Sequence, residues 1–262
     1  MRRLDFARYA CATGVFAIAA LCCTAARAQV NTEPLRKKIK ATGWSVSIQG
    51  SLDAREGNTT GVDASAGGGT GFQTGRHMAF IFGSAEFARY NDTTSIDNSF
   101  VHARYNYEFL SWLWGEAFAQ AQTDQFQRIL LRDLVGVGPR FAIYQSKDFD
   151  VYFGTGWMVE HDTIDVLPGS NDRADYYAHR WNNYVSINYQ LDTRVTFAST
   201  LYAQPRWNDF SDVRMLEETA LIFKITKVLS AAITGSYHYD SQPPAGVKTT
   251  DIDVKNVLSV TF

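Results

Sequence analysis

Past Cys23 the chain has no cysteine: all three, Cys11, Cys22 and Cys23, lie within the first 28 residues. The remainder of the chain therefore has no disulfide, no thiolate nucleophile and no sulfur ligand for a metal. After residue 28 no apolar run reaches the ~18 residues that a helical membrane span requires, and mean hydropathy is negative. If such a chain crosses a membrane, it does so as strands. No glycine-rich loop follows a strand and opens a helix, so the 19 glycines do not point to a nucleotide. An excess of positive charge is missing too. Residues 1–28 hold four Arg and one Asp, leaving 21 basic and 26 acidic residues and a net charge near −5. That balance argues against nucleic acid as a partner.

The first 28 residues are unlike the rest. Arg2, Arg3 and Arg8 precede a small, apolar stretch from Ala10 to Cys23, and Ala26-Arg27-Ala28 closes it. A basic head, a short apolar middle and an A-x-A ending read as a cleaved secretory signal, with the mature protein starting at Gln29. Leu4, Asp5 and Phe6 fit a twin-arginine signal poorly, and Ala19-Ala20-Leu21 is a poor lead-in for acylation of Cys22 or Cys23. Residues 29–42, with Arg36, Lys37, Lys38 and Lys40, read as a basic periplasmic lead-in.

From Gly43 the period changes to two. Trp44, Val46, Ile48, Gly50, Leu52 and Ala54 alternate with Ser45, Ser47, Gln49, Ser51, Asp53 and Arg55. Twelve such residues are enough for a tilted membrane strand. At the other end Ile252, Val254, Leu258, Val260 and Phe262 share one face with Asn256, opposite Asp253, Lys255, Val257, Ser259 and Thr261. A last strand ending on Phe resembles the closing strand of Gram-negative outer-membrane barrels, so Val254, Leu258, Val260 and Phe262 are expected to serve membrane insertion. Between these ends the alternation and turn signals give twelve strands; one misjudged hairpin would make ten or fourteen. The odd-numbered connections are generally longer and more polar than the even ones, as in barrels with short periplasmic turns and long external loops. The longest spans Asp162 to Asp175 with Pro168-Gly169, and another runs from Arg206 to Asp212. Aromatics fall into two groups, Trp44, Phe72, Phe109, Trp112 and Tyr189 toward one end and Trp157, Trp181, Trp207 and Tyr239 toward the other, as interfacial girdles do. The expectation is an all-β, transmembrane, antiparallel up-and-down β-barrel over residues 43–262, in the Gram-negative outer membrane.

The polar faces carry charges of both signs: Asp53, Arg55, Arg104, Glu108, Arg132, Arg140, Arg180, Asp253 and Lys255. Facing lipid at mid-bilayer, an Arg or Lys costs about 2–4 kcal/mol, so these residues are expected to line the lumen. There they either border an aqueous path or pair and plug it. A mixed-sign, arginine-rich interior favours pairing over a one-sign selectivity ring. Glycines 67, 69, 136, 138, 154 and 156 would make room for bulky inward neighbours.

Trp44 followed by Gly57-Asn58, and Gln127 to Arg140 with Arg132, Gly136 and Gly138 at its centre, resemble the YdiY-type salt-induced outer-membrane proteins, catalogued as domain of unknown function 481. The resemblance covers roughly residues 43–262. It departs at Pro139, where a ladder bond is lost. It implies an outer-membrane barrel with no established activity and an association with salt or osmotic stress.

Other classes are less well supported. His161-Asp162 opens the longest loop, and His179 and His238 lie near other external ends, as rim residues of a barrel lipid or peptide hydrolase would. No serine stands at the spacing such enzymes use. Asp162, Asp165, Asp172 and Asp175 lack the spacing and glycine of a calcium loop, and keep the loop soluble or meet cations bridging lipopolysaccharide. No catalytic residue, metal or cofactor is expected. The expected partners are outer-membrane lipids, lipopolysaccharide and the barrel assembly machinery, around a monomer that is structural or a narrow passive pore. A soluble periplasmic β-protein is the remaining alternative.

Overall fold

The computed structural model describes residues 42–55, 61–90 and 93–262; the expected signal (1–28) and all but the last residue of the lead-in lie outside them. Fourteen strand segments run in order: β1 (Gly43–Arg55), β2 (Gly61–Thr74), β3 (His77–Tyr90), β4 (Thr93–Leu110), β5 (Leu113–Asp124), β6 (Ile129–Gln145), β7 (Phe149–Gly154), β8 (Trp157–Ile164), β9 (Asp175–Trp181), β10 (Asn183–Gln190), β11 (Val195–Arg206), β12 (Asp209–Lys224), β13 (Leu229–Asp240) and β14 (Thr250–Thr261). Each pairs antiparallel with its neighbours in the wall, and β1 pairs β14, so the sheet closes. Segments β7 and β8 are the two halves of one strand, since both pair with β6, and β9 and β10 likewise both pair with β11. The wall is a closed barrel of twelve antiparallel strands.

Pro139 accounts for the first of the two interruptions. Arg140 pairs with Gly154 and Val137 with Trp157 in one continuous register, so Pro139 sits opposite Thr155. The Thr155 amide donates to the Pro139 carbonyl at 3.1 Å, but proline has no N–H to return the bond. The ladder lapses at Thr155 and Gly156, where the first strand half ends. The next strand lapses at Asn182, whose amide reaches the Gly156 carbonyl at 2.8 Å. The proline thus removes a hydrogen bond without shifting register.

Facing alternates as the sequence predicts. Along β8, Met158, Glu160, Asp162 and Ile164 are buried inside, while Trp157 is exposed on the outer surface. The end of the barrel that carries Gly43 and Thr261, here the proximal end, is closed by the turns at 75–76, 111–112, 146–148, 191–194 and 225–228. The two longest described connections, 165–174 and 241–249, lie at the distal end. Sorting by length is incomplete, because the distal turn at 207–208 is as tight as any.

Two expected loops are corrected. Asp162 does not open a loop: β8 runs on to Ile164, because the Asp162 carboxylate is paired inside the wall. Residues 209–212 likewise belong to β12, with Asp212 buried, rather than to a loop from Arg206 to Asp212.

Candidate functional site

The inner wall holds the chemistry. On β6 and β8, Arg132 and Asp162 stand directly opposite each other in register. Arg132 Nε donates to Asp162 Oδ1 at 2.7 Å and Nη2 to Oδ2 at 2.6 Å, the two-pronged geometry that makes guanidinium–carboxylate pairs strong. The Tyr176 hydroxyl from β9 donates to Asp162 Oδ2 at 2.7 Å. Arg214 from β12 spreads over three acids, donating through Nε to Asp240 at 2.8 Å, through Nη2 to Asp162 at 3.3 Å, and through Nη1 to Glu160. Arg180 completes the cluster with Glu160 at 3.3 Å, Asp212 at 2.9 Å and the Gln204 carbonyl at 3.1 Å. Asp162 is 0% exposed and Glu160 and Arg180 1%. Stripping water from such ions costs several kcal/mol each, and the forked bonds and shared partners are what offset it.

Nearer the proximal end a second cluster forms around Glu116 on β5. It accepts from Asn106 Nδ2 at 3.0 Å and from the Tyr184 hydroxyl, which in turn accepts from Arg140 Nη1 at 2.9 Å. The Arg140 guanidinium lies 4.0 Å over the Tyr152 ring, and Arg104 lies 5.6 Å from the Phe118 ring centre and 3.9 Å from Glu116. These rings need space that only glycine leaves. A Cβ on Gly154 would lie 2.1 Å from the Tyr184 ring, and one on Gly136 2.4 Å from that of Phe118.

The remaining wall is different. Inward positions on β1, β2, β13 and β14 are mostly small and polar, as in the Ser51–Ser65 pair at 2.6 Å and the Ser230–Ser259 pair at 2.8 Å. An ion pair spans this stretch: Lys255 on β14 meets Glu86 on β3, with Asp253 3.5 Å away. The seam below it is short. Register runs from Ser47–Thr261 to Gly50–Leu258, with Val46 and Phe262 exchanging amide bonds at 3.1 and 2.9 Å.

Of the residues singled out from the sequence, Arg104, Arg132, Arg140, Arg180, Glu108, Asp253 and Lys255 occupy inward register positions. Arg132 and Arg180 join one cluster, Arg104 and Arg140 a second, and Asp253 and Lys255 a third; Glu108 stands apart near the proximal end. The side chains of Asp53 and Arg55 lie outside the described ones. Val254, Leu258 and Phe262 are 70%, 57% and 71% exposed on the outer surface, and Val260 shares their face. Sequence reasoning missed Glu86, Glu116, Glu160, Asp162, Asp212, Arg214 and Asp240 as network members. Continuing the strand parity from Arg132 and Arg180 would have placed Glu160 and Asp162 inside. The rim histidines separate: His161 and His179 face outward against Tyr177 and Trp157, with His161 Nε2 2.9 Å from Asp175, whereas His238 is buried within. Among the described residues no three His, Asp or Glu side chains converge as a metal would require.

A family model described as "Protein of unknown function, DUF481" matches residues 48–262. No curated protein matches the chain. Among solved structures, the translocator domain of the autotransporter NalP from Neisseria meningitidis aligns with a TM-score of 0.50 at 11% identity, over 88% of this chain and 92% of that one. The NanC porin aligns at 0.49 and 16% identity, over 83% and 97%. The KdgM porin aligns at 0.44 and 10%, over 84% and 98%. At these identities the likeness is one of fold: a bacterial outer-membrane β-barrel.

Proposed function

Because the chain belongs to the family of proteins of unknown function DUF481, whose description carries no activity, we propose its role from the barrel interior: a non-catalytic outer-membrane barrel, structural and at most a narrow passive pore. The observation that carries this reading is that Asp162, at 0% exposure, lies inside a twelve-strand barrel. A wide aqueous lumen would wet such a carboxylate; here arginines take the place of water. The wall from β4 to β12 is filled by paired charges and rings, so any passage runs along the Ser-lined wall of β13, β14, β1 and β2, beneath the Lys255–Glu86 pair. The Arg-rich part of the interior is then the sealed part.

In this reading the proximal end faces the periplasm and the distal loops face outward, reached by export through a cleaved signal. The exposed apolar set of Val254, Leu258 and Phe262 meets lipid and serves insertion through the assembly machinery. The protein acts as a monomer among phospholipid and lipopolysaccharide, without cofactor or metal. A link to salt or osmotic stress rests on family resemblance alone. Recording from the purified barrel in planar bilayers tests the proposal: silence or very small unitary steps are expected. Steps as large as those of open porins would overturn it.

A further inference from the structure

The distal mouth contains a cavity of about 410 Å³, above the Arg132–Asp162 cluster and under the loop at 241–249. That volume lies in the range of about 300–1,000 Å³ usual for small-molecule sites. Its polar walls come from Arg173, Arg206, Asn208 and Gln242, and its apolar facets from Ile164, Tyr176, Pro243 and Pro244. Three aspartates also border it, but each already accepts hydrogen bonds from the chain. Asp212 is held by Arg180 at 2.9 Å, Asp209 by the Ser211 amide and hydroxyl at 3.0 and 2.6 Å, and Asp172 by the Ala245 amide at 2.9 Å.

The cationic donors are less well provided for. Arg206 reaches Asp212 only through Nη1 at 3.4 Å, and its side chain, 27% exposed, lines the cavity with the rest of its guanidinium edge. Arg173 stands exposed at the rim of the same cavity. The demand in this cavity is therefore for an acceptor, and a charged acceptor satisfies a guanidinium best. Asn208 offers an amide suited to a hydroxyl, the Gln242 side chain being already hydrogen-bonded to Asp209, and Pro243 and Pro244 offer an apolar face.

We propose that the distal cavity is a binding site for a small hydroxylated organic anion, its charged group held by Arg206 and Arg173 and a hydroxyl by Asn208. The anion can belong to a free solute or to a core sugar of lipopolysaccharide, which share this chemistry. The inference goes beyond the sealed-barrel reading, since a blocked lumen neither requires nor forbids a ligand at its mouth.

Isothermal titration of the full, folded barrel with gluconate and with glucitol tests it, the two differing by one carboxylate. Gluconate is expected to bind at least about tenfold more tightly, and Arg206→Gln or Arg173→Gln to lower its affinity about tenfold, the value of one charge-assisted bond. Among the described residues Arg173 makes no side-chain hydrogen bond or ion pair that its variant would disturb, so an effect there is not one of folding. Native mass spectrometry separates the sources. Lipopolysaccharide retained by the purified barrel and released by Arg206→Gln assigns the anion to the membrane; gluconate binding without retention assigns it to a solute. Equal affinity for the two polyols, or gluconate binding untouched by both variants, overturns the site. Neither result bears on conductance, so the sealed-barrel reading stands or falls separately.

Discussion

Arg132 and Asp162 face each other across neighbouring strands, and one guanidinium takes both oxygens of one carboxylate with no water between them. Removing one member strands the other's charge. Asp162→Asn is expected to destabilise the barrel by about 3–5 kcal/mol, since Arg132 and Arg214 both lose a counter-charge. The double variant Arg132→Met, Asp162→Leu should recover most of that loss. Urea unfolding read by heat-modifiable gel migration checks both; additive losses in the double variant would contradict the pairing.

Gly154 lies under the Tyr184 ring with no room for a side chain. Gly154→Val is expected to cost about 1–3 kcal/mol by overpacking and to pull the Tyr184 hydroxyl from Glu116. Combining it with Tyr184→Ala should relieve the strain but not restore the lost hydrogen bonds. The unfolding midpoints of the two single variants and the double variant test this ordering.

Lys255 bars the small-residue wall. Lys255→Met, which keeps length and loses charge, is expected to raise unitary conductance in planar bilayers and to leave Glu86 and Asp253 drawing cations into the passage. A folded variant as silent as the parent would place the block elsewhere, in the arginine clusters.

The seam between β1 and β14 offers a test that the chain's composition makes clean, since no native cysteine lies beyond residue 23. Ile48 and Val260 are register partners, so Ile48→Cys with Val260→Cys is expected to form a disulfide in the folded barrel. Leu52→Cys with Asn256→Cys lies beyond the last paired residues, Gly50 and Leu258, and is expected to cross-link more slowly. Equal rates, followed by gel shift, would show the pairing to run further.

Much of the barrel was legible because alternation is a local signal. β1 begins at Gly43, where the period changes to two, and strand parity placed Arg104, Arg132, Arg140 and Arg180 inside. What escaped depends on distance in the chain. Asp162 looks like a loop acid beside Asp165, Pro168 and Gly169, and only its partners on β6 and β12 make it a strand residue. Glu86 and Lys255 lie 169 positions apart, so no window of sequence can show that they meet. Pro139 reads locally as a broken ladder bond. That the break crosses into the next strand without changing register is visible in the pairing alone.

The division of the interior has a mechanical consequence. From β4 to β12 the wall is braced by rings and guanidinium forks, whereas β13, β14, β1 and β2 carry mostly small side chains and the Lys255 strut. A barrel built this way has a stiff back and a compliant front. Lateral squeezing by the bilayer, or pull on the distal loops, should deform it on one side only, and amide hydrogen exchange should appear there first.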